Sequence, residues 1–294
     1  MDTWVLLALL AAFSLATADA VGKRFLPDYS AGELALARTA VTATLLFPVL
    51  GMIGPFNVAP GAWPWILVGM PAELLAMYGY MRAIESSPLS LTLPYMAFTP
   101  AFAAVLSWWI LDEAVSAQGG MGLVLVVAGA WWLNLGRAGN RPLDPLRSVL
   151  REPGAVWMLA VAAIYGFTAT AGKAGMEHVS SEQGDAALAF GIVYFGITGL
   201  GALLLFGAFR PRRLVSIWRR PGWMLLVAGL FALMVLAHFS ALHGAQTAYM
   251  IAVKRLSLVM GILYGAWWFR EVGLRRNLSA AALMVLGAGL ITAQ

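Results

Sequence analysis

The sequence predicts an all-α integral membrane protein with ten transmembrane helices arranged as two inverted five-helix repeats. Hydrophobic residues make up 61% of the 294 residues and charged residues only 11%, less than half the share typical of soluble domains. The apolar runs have the length of helices that cross a bilayer and exceed the strands of an outer-membrane barrel. Parts of the second half also repeat the first, which indicates an internal duplication.

The first apolar run, Trp4 to Val21, follows Asp2 and precedes Lys23 and Arg24. A secretory signal carries its positive charge before the apolar stretch, so this run is expected to be a retained helix. The other predicted spans are residues 32–50, 62–82, 88–109, 118–135, 154–174, 185–208, 222–242, 246–269 and 276–293.

A polar connection, residues 137–153, divides the chain into halves at 1–136 and 154–294. If the helices alternate in direction, most of the 19 basic residues fall in connections on one side. The positive-inside rule assigns that side to the cytoplasm. We therefore expect a multi-pass monomer in the inner (plasma) membrane, with the lipid bilayer around it and both termini on the non-cytoplasmic side.

Two pairs of segments carry the repeat. TADAVGK at 17–23 aligns with FTATAGK at 167–173, and EAVSAQGGMGLVLVVAGA at 113–130 aligns with EVGLRRNLSAAALMVLGA at 271–288. Because each unit has an odd number of helices, the second unit is expected to be upside down relative to the first. Inverted repeats with a site at their interface are typical of secondary transporters.

Two apolar helices also end on an acidic residue, WWILDE at 108–113 and WWFRE at 267–271, and the last helix is rich in glycine. With the two five-helix units, these features resemble the two EamA domains of the drug/metabolite transporter superfamily. The resemblance covers almost the whole chain and implies a transporter, in bacteria often an exporter of amino acids and related metabolites. Lys254 and Arg255 also resemble the basic pair with which plastid sugar-phosphate translocators hold phosphate.

Lys254 and Arg255 stand side by side about one third of the way into the ninth span. A cation near the centre of a membrane helix costs roughly 2.5 to 3.5 kcal/mol, so it normally faces a wet cavity or a counter-ion. Either both side chains snorkel to the lipid headgroups, or at least one lines a central cavity and binds an anionic group of a transported solute.

Glu73 in the third span and Arg38 in the second are further intramembrane charges. We expect them to neutralise each other as a structural pair, with proton transport by Glu73 as the alternative. Asp19 is expected to contact Lys23, one helical turn away.

Four tyrosines lie deep in the predicted spans or beside helix-breaking positions, and with one histidine they could line an amphipathic pocket or serve ordinary packing. These residues are Tyr78, Tyr95, Tyr165, Tyr249 and His238.

Small residues recur seven apart in the fifth and tenth spans, Gly122 with Gly129 and Ala280 with Gly287. This spacing keeps the small residues on one face, so we expect the two helices to pack closely together, away from the solute path.

Several other classes find no support in the sequence. The nearest approach to an ATP-binding phosphate loop, Gly166 to Lys173, has the wrong spacing, and no metal-ligand cluster or nucleophile with an adjacent base is visible. We expect no enzyme activity, cofactor, metal, ATP or nucleic acid.

The predicted function is export of a small amphipathic metabolite by alternating access, with an amino acid as the first choice of solute. Organic-phosphate exchange is the alternative within transport, and a non-transport membrane scaffold is the alternative outside it.

Overall fold

The structure is a computed structural model that describes residues 2–86, 93–134, 153–268 and 274–293. The first half contains α1 (Thr3–Phe25), α2 (Ala31–Leu36), a π-helical turn (Ala37–Val41), α3 (Thr42–Leu50), α4 (Ala62–Ser86), a 3₁₀ segment (Leu93–Phe98), α5 (Thr99–Leu111) and α6 (Ala117–Asn134). The second half contains α7 (Pro153–Met176), α8 (Ala186–Phe209), α9 (Pro211–Ser216), a 3₁₀ turn (Ile217–Arg219), α10 (Pro221–His243), α11 (Thr247–Lys254), α12 (Ser257–Trp268) and α13 (Leu274–Thr292).

The described part of the chain contains 6 helical segments long and apolar enough to cross a membrane. They are α1, residues 31–50, α7, α8, α10 and residues 247–265. Shorter apolar helices cover residues 95–111, 117–132 and 278–292. The fold is thus a mostly helical membrane fold, as predicted, and the count of ten spans stays a prediction. Residues 137–152 of the predicted linker, together with Glu271, lie outside the described residues.

The helices that surround the interior pack across the two halves of the chain. Helix α1 of the first half packs against α10 of the second, and α7 of the second half packs against α4 of the first. The interior is therefore lined jointly by both halves, which is the placement expected of a site between repeats.

Helices α6 and α13 pack as the small residues predict. A Cβ atom on Gly122 would lie 2.6 Å from the carbonyl oxygen of Gly287, and one on Gly129 would lie 2.8 Å from the carbonyl oxygen of Ala280. Since each contact joins a small residue to the backbone of the other helix, larger side chains would separate the two helices. The predicted close packing is confirmed.

A short antiparallel ribbon joins the two halves at one end of the molecule. Strand β1 (Phe56–Val58) pairs with β2 (Val179–Ser181), so that Asn57 lies opposite Ser180. Strand β1 lies between the predicted spans 32–50 and 62–82, and three residues are too few to show the alternation that marks a strand in a sequence. We call this end, which also holds Asp2 and Thr292, the terminal face.

The opposite end, the arginine face, is held by surface ion pairs. Arg220 donates to Asp28 at 2.8 Å, and Arg219 donates to Glu33 at 3.1 Å. Glu33 also accepts from the backbone N–H and the hydroxyl of Ser30, which completes a capping box at the start of α2. That this face is cytoplasmic stays a prediction.

Two predicted spans are interrupted helices. The span predicted over 246–269 is not continuous, because it breaks at Arg255 and Leu256 between α11 and α12. The fourth span enters α5 through the 3₁₀ segment, and Pro100 stands in the first turn of α5, where its missing N–H costs nothing. The two breaks face each other across the interior, where Arg255 contacts Thr99.

Candidate solute-binding site

A connected group of polar side chains lies in the interior, between the two interrupted helices and the helices α1, α4, α7 and α10. We call it the interior polar cluster; it consists of Asp19, Arg38, Glu73, Tyr80, Thr99, Tyr165, Thr168, His238, Lys254 and Arg255. Each member contacts or interacts electrostatically with another member, so the group is continuous.

Arg255 lies at the break between α11 and α12 and is only 5% exposed. Its Nη2 donates to the Thr99 hydroxyl at 2.9 Å, while its buried Nε has no hydrogen-bond partner. Among the described residues, no carboxylate lies within salt-bridge distance of Arg255. The snorkelling alternative therefore does not hold for Arg255, which points into the protein.

Lys254, the last residue of α11, is half-buried and also faces the interior. Its Nζ lies 3.2 Å from Nδ1 of His238 on α10. It interacts electrostatically with Glu73 of α4, and Thr168 of α7 lies close to the Glu73 carboxyl group. Lys254, His238 and Glu73, which belong to three different predicted spans, thus come together in the interior.

The predicted ion pair between Glu73 and Arg38 is wrong. Arg38 instead donates from Nη2 to Oδ1 of Asp19 at 2.5 Å, and Tyr80 donates to the other oxygen of Asp19 at 3.0 Å. The guanidinium also lies over the rings of Tyr80 and Phe231, 5.8 Å and 5.5 Å from their centroids. The π-helical turn contains Arg38, and Asp19 lies across from it on α1, where the pair forms.

The formal charges of the cluster do not cancel. Arg38, Lys254 and Arg255 are cations, and Asp19 and Glu73 are carboxylates. Among the described residues Arg38 has a carboxylate within salt-bridge distance, Asp19, whereas Lys254 and Arg255 have only longer-range interactions with Glu73 and Asp19, so the cluster has one positive charge in excess beside Lys254 and Arg255. An uncompensated buried cation is costly, so this position favours an anionic partner.

The predicted tyrosines separate into two groups. Tyr165 belongs to the interior polar cluster, with its hydroxyl 4.0 Å from Sδ of Met77, and Tyr95 is buried beside it in the same apolar core. Tyr78 and Tyr249 do not join them. Tyr78 is 44% exposed on the face of α4 that also exposes Leu75, because it lies about half a helical turn around from Glu73.

Tyr249 lies close to the terminal face, at the start of α11. Its hydroxyl accepts from the backbone N–H of Ser116 at 2.9 Å, and its ring packs against Gly119 of α6. Tyr249 therefore contributes to the contact between α11 and α6 and not to the interior polar cluster.

Sequence reasoning misses four members of the cluster as site residues: Asp19, Tyr80, Thr99 and Thr168. Tyr80 stands seven residues after Glu73, two helical turns along the same face of α4, and this spacing is a usable signal. Thr99 precedes Pro100, a pair that marks the start of a helix. Thr168 carries no comparable signal.

The fold and the site together define a helical membrane protein with a charged interior shared by its two halves. Residues 2–135 match the EamA-like transporter family, which supports the resemblance stated above for the first half of the chain. The chain is similar to GDP-fucose transporter 1 of Dictyostelium discoideum, with 26% identity over 146 residues. That alignment covers 45% of this chain and only 39% of the relative.

The fold also resembles that of a solved protein crystal structure. The two chains superpose with a TM-score of 0.70 at 17% identity, over 99% of this chain and 96% of the other. This likeness shows that the fold extends over both halves. The family and the relative support small-molecule transport, and they give no support to amino acid export in particular.

Proposed function

We propose that this protein is a secondary transporter of small organic solutes that carry an anionic group, and that Arg255 binds that group. The single observation that carries the proposal is the position of Arg255, a buried guanidinium at a helix break with an unpartnered Nε and, among the described residues, no carboxylate within salt-bridge distance. A buried cation without a carboxylate at salt-bridge distance is explained best by an anionic partner that the fold does not supply, such as a transported solute.

The interrupted helices support the same position. Helix α12 begins two residues after Arg255, and α5 begins at Thr99, so two helix N-termini start near the guanidinium. The N-terminus of a helix carries unpaired N–H groups and a partial positive charge, both of which favour an anion. Discontinuous helices that present such ends near the membrane midplane are a feature of secondary transporters.

The packing of the two halves supports alternating access. Gly122 contacts Gly287 and Gly129 contacts Ala280, while in the sequence repeat Gly122 corresponds to Ala280 and Gly129 to Gly287. Such reciprocal contacts are expected of two units related by a two-fold axis. We propose that ten spans form two inverted repeats, which rock against each other around the interior polar cluster.

Two solute chemistries fit the cluster. A phosphate ester would bind to Arg255 with Lys254 as a second cation, and the name of the relative, a GDP-fucose transporter, favours this class. An amino acid would place its carboxylate on Arg255 and its ammonium group on Glu73. Both share an anionic group at Arg255, which is what we propose, and the experiment below separates them.

The test is a thermal-shift screen of purified protein against phosphate esters, nucleotide sugars and amino acids, repeated with Arg255→Met. A solute at a hundred times its Kd stabilises the folded state by about 2.7 kcal/mol. We expect this shift with one of the three classes and its loss in Arg255→Met. Arg212→Met, which removes an exposed arginine on α9, serves as the matched control and should keep the shift.

A transport assay in reconstituted vesicles completes the test. Solutes that stabilise the protein should also exchange across reconstituted vesicles, and Arg255→Met should abolish this exchange while Arg212→Met retains it. An unchanged shift in Arg255→Met would remove the proposed binding group. A protein that neither binds nor carries any anion would fit the scaffold alternative.

A further inference from the structure

A second group of charged contacts lies at the terminal face, between the connection that joins α5 to α6 and the connection that joins α10 to α11. The first connection belongs to the first half of the chain and the second to the other half. Glu113, the residue that ends the WWILDE segment, stands at the centre of these contacts. Solute binding in the interior does not account for Glu113, because this residue lies at one end of the molecule.

The carboxylate of Glu113 bridges two elements of the second half. Nζ of Lys173, at the end of α7, donates to Oε1 of Glu113 and also to the carbonyl oxygen of Ala245, at 2.5 Å. Oε2 of Glu113 accepts from the backbone N–H of Thr247 at 2.8 Å. Since Thr247 is the first residue of α11, Glu113 satisfies one of the free N–H groups at that helix start.

The backbone just before Glu113 ends α5 in a left-handed conformation. Asp112 has φ 54°, and it is the single residue other than glycine with a positive φ in the described part of the chain. This conformation is common just after the end of a helix, and aspartate tolerates it better than most residues with a Cβ. Glu113 therefore lies outside α5, in the connection to α6.

Two further hydrogen bonds join the same connections. Nε2 of Gln246 donates to the carbonyl oxygen of Ala114 at 3.3 Å, and the backbone N–H of Ser116 donates to the hydroxyl of Tyr249 at 2.9 Å. The ion pair itself is shielded, with the Lys173 and Glu113 side chains 15% and 11% exposed. The two connections are thus joined by polar contacts over their length, in a position that covers the start of α11.

Lys254 lies seven residues after Thr247, two turns deeper on the same helix. Moving the start of α11 away from the α5–α6 connection would therefore open a path from the terminal face toward the interior polar cluster. We infer that Glu113, through Lys173 and Thr247, is a gating residue that holds the terminal face closed. This inference rests on the proposed alternating access and goes beyond it, since it names the contact that must break.

The test uses the absence of cysteine from the chain, which allows a single reporter thiol without background. Ala169 is buried on α7 one turn inside Lys173, and Ala18 is buried on α1 toward the arginine face. Ala169→Cys and Ala18→Cys are made separately, placed in lipid nanodiscs, and labelled with a membrane-impermeant maleimide. Nanodiscs leave both faces accessible, so the result does not depend on orientation or on a known solute.

We expect Glu113→Gln to raise the labelling rate of Ala169→Cys by about tenfold and not to raise that of Ala18→Cys. The reason is that removing one member of a shielded ion pair leaves the other charge unpaired, which disfavours the closed contact. Lys173→Met should produce the same change. Glu182→Gln, which alters an exposed carboxylate just after β2, is the matched control and should leave both rates unchanged.

Two results would overturn the inference. If Glu113→Gln labels Ala169→Cys no faster than Glu182→Gln does, the contact does not hold the face closed. If the labelling of Ala18→Cys rises equally, the substitution loosens the whole protein and Glu113 is a packing residue. Neither result bears on anion binding at Arg255, which is measured by the thermal shift.

Discussion

Arg38 and Arg255 are two buried arginines in the same cluster whose surroundings differ in one respect. They are 4% and 5% exposed, and each leaves its Nε without a hydrogen-bond partner. Arg38 has a carboxylate partner, Asp19 at 2.5 Å, and the rings of Tyr80 and Phe231 around it. Arg255 has the hydroxyl of Thr99 as its hydrogen-bond partner.

On the proposed function, the difference separates a structural charge, that of Arg38, from a solute-binding charge, that of Arg255. The charge of Arg38 is compensated within the fold, so its removal should affect folding first. Among the described residues Arg255 has no carboxylate within salt-bridge distance, so on the proposed function its charge stabilises a bound solute more than it stabilises the fold. Burial alone therefore does not show which intramembrane charge is functional; the identity of its partner does.

The largest expected effect on stability comes from Asp19→Asn. The change keeps the shape of the side chain but leaves the Arg38 guanidinium as an uncompensated buried charge, which should lower the free energy of unfolding by about 3 kcal/mol. Denaturant titration in mixed micelles measures it. Asp28→Asn is the control, because Asp28 pairs with Arg220 on the exposed arginine face, where the expected loss is at most about 1 kcal/mol. Equal losses from the two variants would contradict the structural role of Asp19.

A smaller effect is expected from Tyr80→Phe. The variant loses the 3.0 Å hydrogen bond to Asp19, and bonds to charged groups are worth about 1.5 kcal/mol or slightly more. Tyr78→Phe on the same helix removes an exposed hydroxyl and should change the free energy of unfolding by no more than about 0.5 kcal/mol. If the two tyrosines respond alike in the same titration, Tyr80 does not support the Asp19–Arg38 pair.

The smallest effect on stability is expected from Arg255→Met. Because no carboxylate is left unpaired, the free energy of unfolding should stay within about 1 kcal/mol of the original or rise. The same variant should not exchange solute. Substitution of Arg255 is therefore expected to remove transport while leaving the free energy of unfolding nearly unchanged. A loss of stability as large as that of Arg38→Met would show that the fold depends on both arginines equally.

The helices could be predicted from the sequence because bilayer thickness fixes the length of an apolar run. The first span, predicted over 4–21, is the helix Thr3–Phe25, and the eighth, predicted over 222–242, is Pro221–His243. The packing of α6 on α13 could also be predicted, because small residues seven apart lie on one face of a membrane helix and allow a second helix to approach closely.

The partners of the charges could not be predicted in the same way. Asp19 stands one turn before Lys23, so a local rule favours that neighbour, while its contact with Arg38 depends on how two helices are rotated. The π-helical turn makes this partner harder to predict, because it changes the direction of Arg38 and has no marker in the sequence.

The helix break at Arg255 could not be predicted from local sequence either, because neither proline nor glycine occurs in KRLS at 254–257. The repeat offers one indication: Arg255 aligns with Ala97, which lies in the 3₁₀ segment of the fourth span.

The β1–β2 ribbon limits how the terminal face can open. It links the two halves on one side of this face, whereas Glu113 and Lys173 link them elsewhere on it. If the ion pair breaks as inferred, the pairing of Phe56–Val58 with Val179–Ser181 would keep those two connections together. The opening would then stay narrow beside the strands and become widest on the opposite side. Solute would enter or leave there, between α5 and α11.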